Sequence, residues 1–124
     1  MAKKKCGWFK NGGVAHRGWY KGFWCDSSWE LALILYCQDN GIEIVRNTKN
    51  FPYMWRNRTE YYRPDFIMDG KYVEIKGYMD RRSKRKIGSF VQQLEVIDAK
   101  AIKPYLQWAV SHYGENFYDM LEKK

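Results

Sequence analysis

Hydrophobic and polar positions fall into distinct rhythms along the chain. From Leu31 to Tyr36 the apolar residues crowd together. Asp26, Ser27 or Ser28 can cap this run, with Glu30 three residues after Ser27 at the capping-box spacing, and Asn40-Gly41 closes it. The pattern predicts a helix. Ile42-Glu43-Ile44-Val45 is β-branched and partly alternating and predicts a strand. Asn47 to Asn57 mixes turn residues with aromatics and predicts a long loop or a hairpin. Tyr61 to Met68 predicts a second strand, Asp69-Gly70 a two-residue hairpin turn, and Lys71 to Lys76 the returning strand, which Gly77 ends. Pro64 has no amide hydrogen, which places it at an edge, a bulge or the start of a strand. Asp80 to Phe90 is basic and predicts a helix, and Leu94-Glu95-Val96-Ile97 a short strand. Asp98 then caps a helical region whose Ile102, Tyr105, Leu106 and Ala109 share a face, with Pro104 setting the start of the main helix near Lys103. Gly114 interrupts, and Glu115 to Leu121 predicts a terminal turn or two of helix. Met1 to Cys25 has no clear period and reads as an irregular arm. The expectation is therefore a basic, aromatic arm over 1–25 and a single domain over 26–124. The order is helix, strand, strand, strand, helix, strand and C-terminal helices, an α/β or α+β fold with a mixed sheet.

Composition narrows what such a fold could do. The chain has 124 residues, room for one domain but not for a barrel or dinucleotide-binding enzyme of ordinary size. Lysine and arginine number 22 against 14 acids, a net charge of +8, which favours a polyanionic partner. No apolar run approaches the ~20 residues that span a bilayer, and Lys3-Lys4-Lys5 is not followed by the apolar stretch of a secretory signal. The three cysteines, Cys6, Cys25 and Cys37, do not form a disulfide framework, which fits a reducing cytoplasm. Membrane partners and organic cofactors are not expected.

The hairpin carries the chemistry. Side chains alternate faces on a strand, so Glu74 and Lys76 point the same way, about 6–7 Å apart. A two-residue turn at Asp69-Gly70 pairs Met68 with Lys71, and the same register puts Asp65 opposite Glu74. Like charges across a hairpin are destabilising, and a divalent cation relieves them. Phosphodiester hydrolysis needs a metal to activate water and to neutralise developing charge, and magnesium takes one or two carboxylates with retained waters. Asp65 and Glu74 could hold it, with the Ile75 carbonyl as a further oxygen. Lys76 could orient the attacking water, and Glu30 could add a carboxylate from the first helix. The competing reading is a surface hairpin whose Asp, Glu and Lys form ordinary ion pairs. Against it stand the like-charge register, the apolar neighbours Phe66, Ile67, Val73 and Ile75, and the basic balance of the whole chain.

Pro64-Asp65 followed by Glu74-Ile75-Lys76, in that order of elements, resembles the PD-(D/E)XK nuclease superfamily. Ser27 to Ala32, Tyr61 to Phe66 and Tyr72 to Tyr78 are similar to its small, often phage-encoded members. These include homing or restriction-like and very-short-patch-repair-like endonucleases. The likeness spans roughly Asp26 to Ile97. It implies a restriction-endonuclease-like core and a magnesium-dependent endodeoxyribonuclease, with manganese able to substitute. It also implies Asp65 and Glu74 as metal ligands, Lys76 as the catalytic lysine and Glu30 as an accessory acid. A phage-encoded protein acting in a host cytoplasm would fit. Whether such an enzyme would be homing or restriction-like, a mismatch nickase or a Holliday-junction resolvase stays open, as does a non-catalytic nucleic-acid-binding module.

Arg81, Arg82, Lys84, Arg85 and Lys86 follow Lys76 closely with little acid to balance them, and they are expected to contact DNA phosphates. Arg63 lies beside the motif. Arg17 and Lys21, with Lys3, Lys4, Lys5, Lys10 and His16, interleave with Trp8, Phe9, Trp19 and Tyr20 in a pattern suited to a chain laid along nucleic acid. Phe23, Trp24 and Trp29 are expected to pack over the core. Cys6, His16, Cys25 and Cys37 lack the short spacing of a structural zinc site, which is not expected. A resolvase or palindrome cutter would need a homodimer, for which Tyr113, Phe117 and Tyr118 offer aromatic surface.

Overall fold

The computed structural model describes residues 16–123. Within them the chain forms β1 (Gly18–Tyr20), β2 (Phe23–Cys25), α1 (Ser28–Asp39), β3 (Ile44–Arg46), β4 (Phe51–Trp55), β5 (Arg58–Tyr62), β6 (Phe66–Met68), β7 (Lys71–Ile75), α2 (Arg81–Gly88), β8 (Leu94–Ile97), α3 (Lys103–Tyr113) and a final 3₁₀ turn, Phe117–Met120. The fold is α+β with three helices and a mixed sheet. Four strands stand in the order β3-β6-β7-β8. β3, β6 and β7 run antiparallel and β8 joins parallel to β7, its crossover made by α2. Two further hairpins, β1–β2 and β4–β5, stand apart as two-stranded sheets.

α1 is the hub. Ser27 caps it, accepting from the Glu30 amide at 3.4 Å, while the Glu30 carboxylate reaches back to the Asp26 amide at 3.3 Å. Its residues from Ser28 to Leu35 are all buried. One apolar cluster joins Leu31, Ile34 and Leu35 of α1 to Ile44, Phe66, Val73 and Ile97 of the sheet and to Leu106 and Ala109 of α3. Alternation turns Tyr72 and Glu74 of β7 to the opposite face. There Phe51 and Phe90 meet Tyr72 edge-on, with ring centroids 5.5 and 5.3 Å away. The β4–β5 hairpin therefore lies over the second face of the sheet, and α2 packs beside it. No helix among the described residues is long and apolar enough to cross a membrane.

Three expectations need correction. Tyr61 to Met68 is not one strand. Tyr61 and Tyr62 end β5, Asp65 lies in a bend, and β6 begins at Phe66. Pro64 cannot donate to a ladder, so continuity breaks there. Residues 16–25 are not irregular, because Lys21 and Gly22, at φ of 45° and 86°, turn β1 into β2. The Trp19 amide donates to the Glu122 carbonyl at 2.6 Å and the Glu122 amide returns to the Trp19 carbonyl at 2.9 Å, so an isolated antiparallel bridge ties the hairpin to Glu122. Phe117 is buried at 2% exposure within the core cluster, so it offers no surface to a second subunit. Met1 to Ala15, with Lys3, Lys4, Lys5, Cys6, Trp8, Phe9 and Lys10, lie outside the described residues.

Candidate active site

The site begins at the bend between β5 and β6. Asn47, 1% exposed, holds that bend from beside the end of β3. Its side-chain amide donates to the carbonyls of Pro64 at 2.9 Å and Lys49 at 3.0 Å, its Oδ1 accepts from the Lys49 amide at 3.0 Å, and its own N–H donates to the Asp65 carbonyl at 3.1 Å. Every hydrogen-bonding group of the Asn47 side chain is thus used, which makes a buried amide affordable. With its backbone pinned, Asp65 turns its carboxylate onto the next strand, where Oδ2 accepts from the Ile75 N–H at 2.8 Å. The β6–β7 ladder ends at Phe66–Val73, in the register predicted from Asp69-Gly70. Asp65 therefore meets β7 through its side chain rather than as a paired strand residue opposite Glu74. Ile75 contacts the site through its N–H.

Glu74 is 5% exposed, and the Tyr62 hydroxyl donates to its Oε1 at 2.9 Å. The Glu74 carboxylate also draws on the backbone N–H of Asp65. Burial pushes both carboxyls above the ordinary range. Asp65 is pushed up to about 6, first by desolvation and then by the charge of Glu74, against the opposing pull of the Ile75 amide, Arg46 and Lys76. Glu74 is raised by burial and drawn down by the Tyr62 hydrogen bond, Lys76 and Lys86. The pair titrates as one system. Burial, then the Glu74 charge, also raises the Tyr62 phenol, so it stays a donor. Lys76 follows β7 directly, its backbone N–H fixed on the Ile97 carbonyl at 3.0 Å.

Glu30 enters from the first turn of α1 at 7% exposure, yet it does not join the pair. Its Oε1 forms a 2.9 Å ion pair with Arg46. Burial raises its carboxyl, Arg46 offsets that, and the Asp65 charge adds to the rise. Arg46 also donates to the carbonyls of Asp65 at 3.4 Å and Trp24, and its guanidinium lies 4.2 Å from the Phe66 ring centroid. It separates Glu30 from Asp65 as a bridging cation. No group of three His, Cys, Asp or Glu side chains suited to a metal occurs among the described residues.

The basic side chains divide. Arg81, Lys84 and Arg85 are exposed along α2, which Asp80 caps by accepting from the Ser83 amide at 2.7 Å. Lys86 stands 5.5 Å from the Tyr62 ring centroid. Arg82 is instead committed internally, donating to the Tyr53 hydroxyl at 3.1 Å and to Glu60 at 3.0 Å. Arg63 is exposed beside the bend. Arg17 and Lys21 belong to the β1–β2 hairpin, where the Arg17 carbonyl accepts from Lys123 at 2.7 Å and Lys21 lies 5.4 Å from the Tyr20 ring. Of the zinc candidates, His16 stacks on Tyr118 at 3.6 Å between centroids. Cys25 and Cys37 are buried thiols, pushed up to about 12 and about 11 by desolvation.

Arg46, Asn47 and Tyr62 escaped sequence reading. Tyr62 carried a signal, a tyrosine two positions before Pro64-Asp65. Arg46 and Asn47 sat at the end of a strand and looked like ordinary surface polar residues. No protein family, curated protein or solved structure matches the chain.

Proposed function

We propose that this chain is a metal-dependent DNA endonuclease of the PD-(D/E)XK kind, with β3-β6-β7-β8 and α1 as a restriction-endonuclease-like core. The observation that carries the reading is the pair of half-buried Asp65 and buried Glu74. Each is held by an internal donor, Asp65 by the Ile75 N–H and Glu74 by the Tyr62 hydroxyl, beside Lys76. Structural ion pairs in a sheet carry opposite signs, whereas this pair is of like sign and desolvated, a constellation typical of functional sites. It also fits magnesium, which binds through one or two carboxylates and keeps several waters.

Asp65 and Glu74 would hold the ion, which when bound supplies a polarised water and neutralises charge developing at phosphorus. Ile75 N–H and Tyr62 O–H fix the two carboxylates by one oxygen each, which sets their orientation before any ligand arrives. Lys76, anchored by its backbone to β8, presents an ammonium to the attacking water or to the phosphate oxygens. Glu30 acts through Arg46 as a positioning residue, since that guanidinium holds the Asp65 carbonyl. Arg81, Lys84 and Arg85 on α2 extend a cationic surface along which a phosphate backbone can lie.

The test is cleavage of supercoiled plasmid, mismatched duplex and four-way-junction DNA by the purified protein with magnesium or manganese. Asp65→Ala and Lys76→Ala should each lower the rate by roughly 10³-fold or more while DNA affinity changes by less than about threefold. Which of the three substrates is cut separates a restriction-like enzyme from a mismatch nickase and a resolvase. If every substrate stays intact although the protein binds DNA, the chain is a nucleic-acid-binding module and the enzymatic reading is wrong.

A further inference from the structure

The β4–β5 hairpin has more surface than its place over the sheet requires. Its five residue pairs make a ribbon about 16 Å long at ~3.3 Å per residue. The inner face is spent on the domain, through Phe51 against Tyr72 and Phe90, Tyr53 and Glu60 on Arg82, and Tyr62 on Glu74. The outer face is open: Met54 is 54% and Tyr61 65% exposed, and Pro52 and Thr59 are exposed beside them. The tip is cationic. Arg56 and Asn57, at φ of 53° and 63°, make a tight turn, Arg56 lies over the Trp55 ring at 4.9 Å, and Arg58 is 80% exposed. Glu60 is the one acid between Phe51 and Pro64, and Arg82 and Arg58 already neutralise it.

We infer that the β4–β5 ribbon is a groove-reading element that enters the major groove of duplex DNA, with Arg56 and Arg58 leading. The major groove is wide enough for a two-stranded ribbon. Arginines at the tip can reach phosphates or the O6 and N7 acceptors of guanine. Met54 and Tyr61 present apolar and aromatic contact to thymine methyl groups and sugar edges. The choice of partner rests on charge: Arg56, Arg58 and Arg63 on the ribbon continue the unpaired cations Arg81, Lys84 and Arg85 of α2, and a polyanion with regular grooves satisfies both elements. The inference rests on the reading of this chain as acting on DNA and extends it, since Tyr62 at the root of the ribbon touches Glu74.

The test measures binding and cleavage separately. Affinity for a random-sequence duplex is determined by fluorescence anisotropy in EDTA, where no hydrolysis occurs. Wild-type protein is compared with Arg56→Asn/Arg58→Gln, where asparagine suits the positive φ, and with Arg58→Glu, which leaves the turn intact. Both variants should lose roughly tenfold or more in affinity with unchanged melting temperature, and methyl green, which fills the major groove, should compete with the wild-type protein while the minor-groove ligand netropsin should not. The inference is overturned if both variants bind within about threefold of wild type, if netropsin competes in place of methyl green, or if the protein ignores duplex and takes RNA or an acidic protein instead. Full magnesium-dependent cleavage by the tip variants would overturn the ribbon inference and leave the nuclease standing. Ribbon-dependent binding without cleavage by the wild type would do the reverse.

Discussion

The β6–β7 and β4–β5 hairpins are built with the same turn and put to opposite uses. Each turns on two residues with positive φ, Asp69 and Gly70 at 51° and 82° in one, Arg56 and Asn57 at 53° and 63° in the other. That geometry matches the natural twist of a strand pair. β6–β7 is flanked by β3 and β8, so its backbone groups are paired on both sides and its side chains form the core. β4–β5 has no third strand. A lone hairpin is marginal in water, and this one is held by aromatic contacts with Tyr72 and Phe90 and by the Arg82 hydrogen bonds. The first hairpin can therefore carry buried Glu74 beside the half-buried Asp65 of like sign, because neighbours on both sides keep its strands in place. The second keeps a free face and a free tip. Tyr62 and Glu74 join the two.

The comparison breaks most sharply in the core. Phe66→Ala removes a side chain with no exposure and should cost about 3–5 kcal/mol, whereas Met54→Ala on the open face of the ribbon should cost less than about 0.5 kcal/mol. Urea unfolding of the two variants measures both, and equal losses would show that the ribbon face is packed in solution. A smaller effect comes from the carboxylates. Asp65 and Glu74 take up protons more readily folded than unfolded, so between the unfolded carboxyl range near 4 and the raised folded value the native state binds more protons. Stability of the metal-free protein should therefore fall as pH rises from about 5 to about 7, by a few degrees in melting temperature. Asp65→Asn should flatten that slope, and saturating magnesium should do the same in the wild type. A slope that persists in Asp65→Asn would place its origin elsewhere. The smallest effect should follow Arg82→Ala. Global stability should barely change, because the side chain is exposed to solvent. Amide exchange should quicken in Phe51–Trp55 and Arg58–Tyr62 and stay unchanged in Lys71–Ile75. Uniform quickening would mean that the ribbon and the sheet open together.

Much of this arrangement was legible from residue types. Asp69-Gly70 predicted the register of β6 and β7, since no other two-residue turn fits between those apolar runs. Ser27 with Glu30 marked the start of α1 through its capping chemistry, and the basic run from Asp80 marked α2. The limits of β5 and β6 were hidden, because Tyr61 to Met68 reads as continuous extended chain. The interruption depends on Asn47 reaching 17 residues along the sequence to the Pro64 carbonyl. Arg46 was hidden for a related reason. Its role comes from three elements meeting, α1 through Glu30, β2 through the Trp24 carbonyl and the bend through the Asp65 carbonyl, and no local pattern encodes a meeting of that kind. The β1–β2 hairpin was missed because three-residue strands leave no period to read.

The bridge between Trp19 and Glu122 has a consequence for the order in which the molecule assembles. A chain synthesised from the N-terminal side extrudes the β1–β2 hairpin before Glu122, yet the hairpin lacks its bridge until Glu122 has been released. Gly18 makes the junction tight, since a Cβ there would come within 2.6 Å of the Glu122 carbonyl oxygen. This contact has about the longest loop to close of any in the domain, and loop closure must be paid before its hydrogen bonds give anything back. The hairpin synthesised first is therefore among the last pieces locked. The Trp24 carbonyl that accepts from Arg46 thus sits on a support that is firm only once Glu122 has bridged to Trp19.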